Sequence, residues 1–222
     1  MPEQSPAAPP SDRVRLRRHR ERAAYGRDAI DAILDEALIA HLGICDEAGQ
    51  PFVVPTLHAR AGDVVYCHGS AAGRATRALA ASTPACLTVT LIDGLVMARA
   101  VANHSANYRS VMLLGRARPV EEREEKLAAL EAVTEHIAPG RWGEARLPSD
   151  SELREVTVVA LPLDEASAKI RVGPPTDDEG DYALDVWAGV LPFHTAYGPP
   201  EPCPRLADGI AVPASVAGYS RP

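Results

Sequence analysis

The sequence predicts a mainly β, α+β domain built on a small antiparallel barrel with flanking helices. About six short apolar segments recur at close spacing between Ile39 and Val172, and few helical patterns separate them. A doubly wound parallel sheet would instead alternate each strand with a helical pattern of roughly 10–15 residues. The spacing of the apolar segments therefore favours antiparallel strands joined by short turns.

The first half of the predicted domain begins with a helix and continues as strands. Apolar residues of Arg27 to Leu38 recur on one helical face, and Asp28 in the first turn suits the helix dipole. Glycines in the segments 46–50 and 61–63 predict tight turns between the strands that follow. These strands are Ile39 to Cys45, Phe52 to Ala59 and Val64 to Cys67.

The second half alternates two helices with longer strands. We expect helices over Gly73 to Ala81 and Glu121 to Ile137, the second stopped by Pro139-Gly140. The predicted strands are Ala85 to Ile92 with an apolar continuation over Gly94 to Ala100, Tyr108 to Val120, Val156 to Leu163 and Ala166 to Val172. Gly115 is a candidate β-bulge in the longest of them.

Composition sets the expected domain boundaries. Residues 1–12 are rich in Pro and Ala and are expected to form a disordered tail. A single domain with a C-terminal extension should occupy residues 13–212, and residues 213–222 should form a second tail. No run of about 18 apolar residues and no secretory signal occurs, so no membrane partner is expected.

Charge and cysteine usage limit the partners and the compartment. The 222 residues carry a net charge of −7, which argues against general nucleic-acid binding, and the basic cluster 13–22 is expected to be a solvated surface. The four cysteines form no C-x-x-C pair, and three lie in apolar, strand-like surroundings. They are expected to be buried free thiols in a reducing cytoplasm.

The segment from Val64 to Ala80 has the layout of a phosphate-binding corner. The polar corner His68-Gly69-Ser70 follows a predicted strand, and two alanines and a glycine lead to Arg74 at the predicted start of a helix. Backbone N–H groups, a hydroxyl and a fixed cation at such a corner suit a phosphate, although the same pattern also occurs in plain turns. The segment lacks the glycine spacing of a dinucleotide fold and the Gly-Lys of a P-loop. We expect a phosphorylated cofactor bound against a β-barrel.

Ordered motifs along the chain resemble a known family. They cover roughly Arg15 to Val212 and read ILDEALIAHLGI from Ile33, VVPTLHARAGDVVYCHGSAAGR from Val53, LTVTLIDGLVMAR from Leu87, NYRSVMLLGRARPV from Asn107, SAKIRVGPPTDD from Ser167 and VWAGVLP from Val186. In these segments the chain resembles the pyridoxamine 5′-phosphate oxidase-like flavoproteins with the FMN-binding split-barrel fold. The branch that it resembles most includes the nitroimidazole-resistance proteins.

The resemblance implies a six-stranded antiparallel split β-barrel that forms a homodimer, with FMN in a groove between the subunits. Arg74 would bind the FMN phosphate. The other cofactor-binding residues implied are Val54, Pro55, Thr56, His68, Gly69, Ser70, Tyr108, Arg109, Ser110 and Trp187. The segment Val101 to Ala106 carries less bulk than in relatives and is expected on the substrate side.

We expect an FMN-dependent oxidoreductase that transfers two electrons to or from a small molecule. His68 and His104 are the candidate catalytic residues, because an imidazole titrates near neutral pH. The alternatives are a haem-binding or haem-degrading protein with one of these histidines as axial ligand, a non-catalytic flavin-binding protein, and binding of a deazaflavin, which has the same phosphate-bearing chain. No metal-binding set of residues and no hydrolase triad is visible in the sequence.

Overall fold

The structure is a computed structural model that describes residues 7–46 and 48–221. The expected features of residues 1–6 and of Glu47 lie outside the described residues. The described residues divide into two compact units. The first unit draws on the ranges 7–37, 88–113 and 165–195, and the second on the ranges 38–87, 114–164 and 196–221.

Five α-helices, three short 3₁₀ helices and ten strands occur in the part of the chain that the structure describes. The helices are α1 (Arg27–Glu36), α2 (Arg74–Ala80), α3 (Arg123–Ile137), α4 (Asp150–Glu155) and α5 (Ala214–Ala217). The strands are β1 (Ala23–Ala24), β2 (Ile39–Cys45), β3 (Pro51–Ala61), β4 (Val64–Ser70), β5 (Pro84–Met97), β6 (Ser105–Arg116), β7 (Arg118–Pro119), β8 (Val156–Pro162), β9 (Glu165–Arg171) and β10 (Gly189–Pro192). Every helix and strand that the sequence predicted is present, with ends shifted by a few residues.

Two predicted strand regions differ from the structure in extent. The apolar continuation after Ile92 belongs to the same strand, so that β5 runs unbroken from Pro84 to Met97. The predicted strand from Tyr108 to Val120 begins earlier and is interrupted at Ala117, which divides it into β6 and β7. Helix α4 was not predicted, although Ser149 and Glu152 form a capping box at its start.

The second unit is built on the antiparallel strand order β2-β3-β4-β8-β7. Residues Ala40, Leu42 and Ile44 are buried because successive side chains of β2 point to opposite faces. The same alternation places Cys45 on the exposed face, so the expectation of burial is wrong for this thiol. Strand β4 pairs with β8 along its whole length, with His68 opposite Val158. This pairing holds the end of β4 in place.

Helix α3 covers the sheet of the second unit. Its Ala129 and Val133 are buried, and Ala129 packs in a cluster with Tyr66 of β4 and Val158 of β8. The Tyr66 hydroxyl donates to Oε1 of Glu125 on α3, 2.9 Å away. The helix therefore fixes the middle of β4 through both apolar packing and a hydrogen bond.

The first unit has the strand order β1-β9-β6-β5, with β10 paired to β5. Helix α1 buries Ile30, Ile33 and Leu34 in this unit. Two glycines of this unit lie where a side chain would have little room. A Cβ on Gly94 would lie 2.7 Å from the Leu191 carbonyl oxygen, and a Cβ on Gly189 would lie 2.9 Å from the Trp187 ring. Any larger residue at Gly94 would push β10 away from β5.

The cysteines differ in their exposure. All four cysteines are free; Cys67 is buried, Cys86 is half-buried, and Cys203 is exposed like Cys45. None of the helices in the described ranges has the length and apolar character that a membrane crossing requires.

Candidate functional site

The corner between β4 and α2 is closed by hydrogen bonds to one carbonyl group. The Ser70 carbonyl oxygen accepts from the Gly73 N–H and from the Thr76 hydroxyl, both at 2.8 Å. A Cβ on Gly73 would lie only 2.6 Å from Thr76 Oγ1 and 3.0 Å from the Ser70 carbonyl oxygen, so this position needs glycine. The corner sets His68 just before the turn and Arg74 just after it.

A cavity of about 400 Å³ lies beside this corner within the second unit. Its volume falls in the usual range for small-molecule sites, roughly 300–1,000 Å³. We call it the corner cavity. Six of its lining residues are predicted site residues: Val54, Pro55, Thr56, His68, Gly69 and Arg74. The others are Leu42, Cys67, Gly73, Ala75, Thr76, Leu79 and Val159.

His68 carries a polar atom that is buried in this cavity wall without a partner. Its Nδ1 is inaccessible to solvent and has no hydrogen-bond partner among the described residues. Burial lowers the pKa of His68 below its ordinary value, because desolvation disfavours the charged ring. The imidazole is therefore neutral at pH 7, and one ring nitrogen has a free lone pair.

Arg74 is held by an aromatic ring and leaves its charge available. Its guanidinium carbon lies 4.2 Å from the centre of the Phe52 ring on β3, a cation–π contact. It forms no ion pair with any residue that the structure describes, whereas Arg99, Arg109, Arg118 and Arg146, for example, pair with carboxylates. An oriented, unneutralised guanidinium beside a cavity suits a phosphate. Ser70 does not line the cavity; its Oγ accepts from the Ala72 N–H at 3.3 Å.

The structure places four further predicted cofactor-binding residues in the first unit. Arg109 forms ion pairs with Glu36 and Asp93, and its Nη2 lies 2.7 Å from Oδ1 of Asp93. Hydrogen bonds to Glu36 and then to Asp93 raise the pKa of Arg109 above its usual range. The Ser110 hydroxyl donates to the Lys169 carbonyl at 3.2 Å, and Tyr108 is half-buried beside it. Trp187 is 71% exposed. Their role at a cofactor remains a prediction.

His104 also belongs to the first unit, where its ring is fixed at one nitrogen. Nδ1 lies 3.1 Å from the Ala100 carbonyl oxygen, and the ring is exposed. A carbonyl oxygen only accepts, so Nδ1 carries a hydrogen in this contact, and Nε2 lies on the opposite side of the ring. Metal-binding histidines are commonly oriented by such a bond.

Two residues that line the corner cavity and one that contacts Arg74 were not predicted from the sequence. Thr76 was not singled out, although a hydroxyl three residues after Gly73 is a recognisable partner for the turn. The contact of Phe52 with Arg74 has no sequence signal, because it joins a residue of strand β3 to the first residue of helix α2, which are far apart in the sequence. Cys67 lines the cavity, and burial raises the pKa of its thiol to about 12, so it stays protonated and is a poor nucleophile.

The comparisons with known proteins now identify the family. The profile of the pyridoxamine 5′-phosphate oxidase family matches residues 26–170. The chain belongs to this family, and its antiparallel strands have the family's split-barrel fold. The fold class and the resemblance inferred from the sequence are confirmed. No match was found among curated protein sequences.

Three solved structures show which members of the family this chain is similar to. It is 42% identical to the flavocytochrome Anf3 from Azotobacter vinelandii, over 97% of this chain and 100% of that one, with a TM-score of 0.91. It is 35% identical to an FAD- and haem-binding protein from Mycobacterium smegmatis, over 90% and 98% of the two chains, with a TM-score of 0.85. A 5-nitroimidazole antibiotic resistance protein from Bacteroides thetaiotaomicron is 26% identical over 67% of this chain and 86% of that one, with a TM-score of 0.56.

The lowered pKa of His68 predicts a pH-dependent contribution to stability. The folded protein binds fewer protons than the unfolded chain between the lowered pKa and about pH 6.5, so the free energy of unfolding decreases as the pH falls through this window. His68→Gln should remove that part of the decrease. Urea unfolding measured between pH 7.5 and about 4.5 tests this. The exposed His194→Gln is the matched control, and a His68→Gln profile parallel to that of the wild type would contradict the prediction.

Proposed function

We propose that this protein is a flavin-dependent oxidoreductase that also binds haem. The observation that carries the proposal is its similarity, over 97% and 90% of the chain, to two proteins described as a flavocytochrome and as an FAD- and haem-binding protein. The corner cavity and two histidines, His68 and His104, supply residues that fit both groups. The acceptor or donor is a small molecule, and a bound flavin would exchange two electrons with it.

The residues of the corner cavity fit a flavin nucleotide. Arg74 offers an unpaired guanidinium to the phosphate, and Gly69 and Gly73 let backbone approach it closely. Val54, Pro55 and Thr56 form one wall from a single strand, suited to one face of an isoalloxazine ring. FMN, FAD and a deazaflavin share the phosphate-bearing chain that this arrangement recognises.

His68 gives the cavity a neutral imidazole that holds or accepts a proton. Its buried Nδ1 lacks a partner in the described structure and so remains available to a polar atom of a bound molecule. Because its pKa is lowered, the ring takes up a proton only transiently near pH 7. It therefore suits proton transfer or substrate orientation in a site whose redox chemistry the cofactor provides.

His104 fits the requirements of an axial haem ligand. Its Nδ1–H donates to the Ala100 carbonyl, which orients the ring and leaves Nε2 to bind a haem iron. His68 is the other candidate, since its ring is neutral and has no hydrogen-bond partner at Nδ1. The described residues contain no group of three or more His, Cys, Asp or Glu side chains placed to hold a bare metal ion.

The homodimer implied by the sequence is part of the proposal. Large apolar side chains remain exposed along one C-terminal stretch, namely Tyr182, Leu184, Val186, Trp187, Leu191 and Phe193. A run of exposed apolar side chains of this kind suits a protein interface, and a second copy of the chain is the partner we propose. Sedimentation equilibrium at micromolar concentration should give twice the mass of the chain, and Trp187→Ser with Leu191→Ser should shift it toward monomer. A wild-type monomer that binds its cofactors fully would contradict this assembly.

The absorption spectrum of the purified protein tests the cofactor proposal. Reconstitution with flavin and haem should give both flavin bands and a Soret band. His104→Ala should reduce or shift the Soret band while the flavin content stays near that of the wild type, because the flavin is assigned to the corner cavity. His194→Ala is the matched control. If a variant that lacks both His104 and His68 keeps the flavin bands and the Soret band, neither histidine is a ligand. A Soret band absent from the wild type would remove the haem part of the proposal, and absence of turnover with a reductant and a quinone or nitro acceptor would favour a non-catalytic flavin protein.

Arg74→Ala should weaken FMN binding by about 10- to 150-fold, because a charged hydrogen bond contributes roughly 1.5–3 kcal/mol. Riboflavin has no phosphate, so its affinity should barely change. Titration calorimetry of the cofactor-free protein measures both affinities, and Arg154→Ala on the exposed face of α4 is the control. Equal losses for FMN and riboflavin would remove Arg74 from the phosphate site.

A further inference from the structure

One buried carboxylate holds the turn that leads from β5 to His104. The side chain of Asp177 is 0% exposed, and its Oδ1 accepts from the backbone N–H groups of Arg99 at 3.0 Å and of Ala100 at 3.3 Å. The side-chain amide of Asn103 donates to the same oxygen at 3.4 Å. Asp177 therefore contacts both ends of the turn formed by residues 99–103, and all of these residues belong to the first unit.

Asp177 is itself held in place by Arg99 and Tyr182. Nη1 of Arg99 donates to its Oδ2 at 3.2 Å, and the Arg99 guanidinium carbon lies 5.0 Å from the centre of the Tyr182 ring. The Tyr182 hydroxyl accepts from the Asp177 backbone N–H at 3.4 Å. A buried carboxylate is costly unless donors satisfy its oxygens, so this set of bonds favours one arrangement of the turn over others.

Ala100 connects Asp177 to the imidazole of His104. Its N–H donates to Asp177, and its carbonyl oxygen accepts from the His104 Nδ1–H at 3.1 Å and from the Asn103 N–H at 3.0 Å. The His104 ring is exposed and forms no other hydrogen bond with the residues that the structure describes. The direction of this ring therefore depends on the position of the Ala100 carbonyl, which the bonds to Asp177 determine.

We propose that Asp177 is the positioning residue of His104. It fixes the turn of residues 99–103, so that the Ala100 carbonyl orients the imidazole and holds Nε2 in one direction. The inference rests on the proposed function, in which His104 is an axial ligand of haem, and Asp177 acts on that ligand only through Ala100. Replacing a group that orients a metal-binding histidine typically lowers metal affinity by about 10- to 100-fold.

A double-mutant cycle of haem affinity tests this role. Asp177→Ala should weaken haem binding by about 10- to 100-fold and shift the Soret band, and flavin affinity should stay that of the wild type. In the His104→Ala background, the same substitution should change haem affinity by less than about threefold, because its effect passes through His104. Asp177→Asn keeps a carbonyl oxygen for the N–H groups of Arg99 and Ala100, so it should recover most of the lost haem affinity.

Nitrogen NMR of the imidazole rings gives a second measurement, made on the cofactor-free protein at a pH where His104 is neutral. The resonances that His104→Gln removes identify this ring. The wild type and Asp177→Asn should carry the hydrogen of His104 on Nδ1, whereas Asp177→Ala should show a mixture of the two tautomers. Asp178→Asn changes the exposed neighbouring carboxylate and is the matched control, with unchanged haem affinity and unchanged ring signals.

Equal losses of haem affinity from Asp177→Ala in both backgrounds, or wild-type haem affinity and ring signals in Asp177→Ala, would overturn the positioning role and leave the proposed function intact. Unchanged haem affinity in His104→Ala alone would instead overturn the ligand assignment of the proposed function. If Asp177→Ala does not fold, Asp177→Ser takes its place in the cycle and in the NMR measurement, with changes expected in the same direction. It is less disruptive because the serine hydroxyl and water can satisfy the freed N–H groups.

Discussion

The geometry of the candidate site depends on the hydrogen bond from the Thr76 hydroxyl to the Ser70 carbonyl. Strand β4 must become helix α2 within three residues, and this bond joins the end of the strand to the first turn of the helix. A hydrogen bond of this kind contributes only about 1 kcal/mol to stability. Its importance is positional, because His68 lies before the corner and Arg74 after it. Pairing of β4 with β8 and the packing of α3 on Tyr66 hold the strand side of the corner rigid.

Sequence patterns predicted the fold because the chain is locally consistent. The short apolar segment Ile39–Cys45 predicted β2, and the glycines Gly49 and Gly62, which have positive φ, marked the turns on either side of β3. The same patterns located the corner, and six of the predicted site residues line its cavity. Strand β10 was not predicted, since four residues carry too little periodicity to identify a strand.

Other properties of the site depend on contacts that a sequence does not encode locally. The pairing of Arg109 with Glu36 and Asp93 joins residues from three separate segments, and no spacing rule identifies it. The orientation of His104 by Ala100 depends on a short 3₁₀ turn, Val101–Asn103, that was read only as a segment of reduced bulk. The choice between FMN, a deazaflavin and haem was open as well, because the two flavins carry the same phosphate-bearing chain and a histidine alone does not distinguish a flavin site from a haem site.

Arg74 and Arg77 differ from the arginines that connect segments of the first unit. In the first unit Arg99, Arg109 and Arg171 are held by a carboxylate, an amide or carbonyl groups, and they connect loops and strands. In the second unit Arg74 and Arg77 have no such partners among the described residues. A chain with a net charge of −7 thus presents a local positive field at α2. Anionic ligands would approach this helix against an otherwise repulsive background.

The short pairing of β10 with β5 has a dynamic consequence. Only four residue pairs join these strands, and Leu191 and Phe193 remain exposed, so little apolar burial opposes their separation. Upstream, the buried Asp177 carboxylate is bound by the backbone N–H groups of Arg99 and Ala100 at 3.0 and 3.3 Å and anchors the chain more firmly. The segment that carries Trp187 is therefore attached at Asp177 on one side and at β10 on the other. Strand β10 can separate from β5 by local unfolding, which costs much less free energy than global unfolding. Its amide protons should exchange with solvent as one cooperative group, faster than those of the central strands.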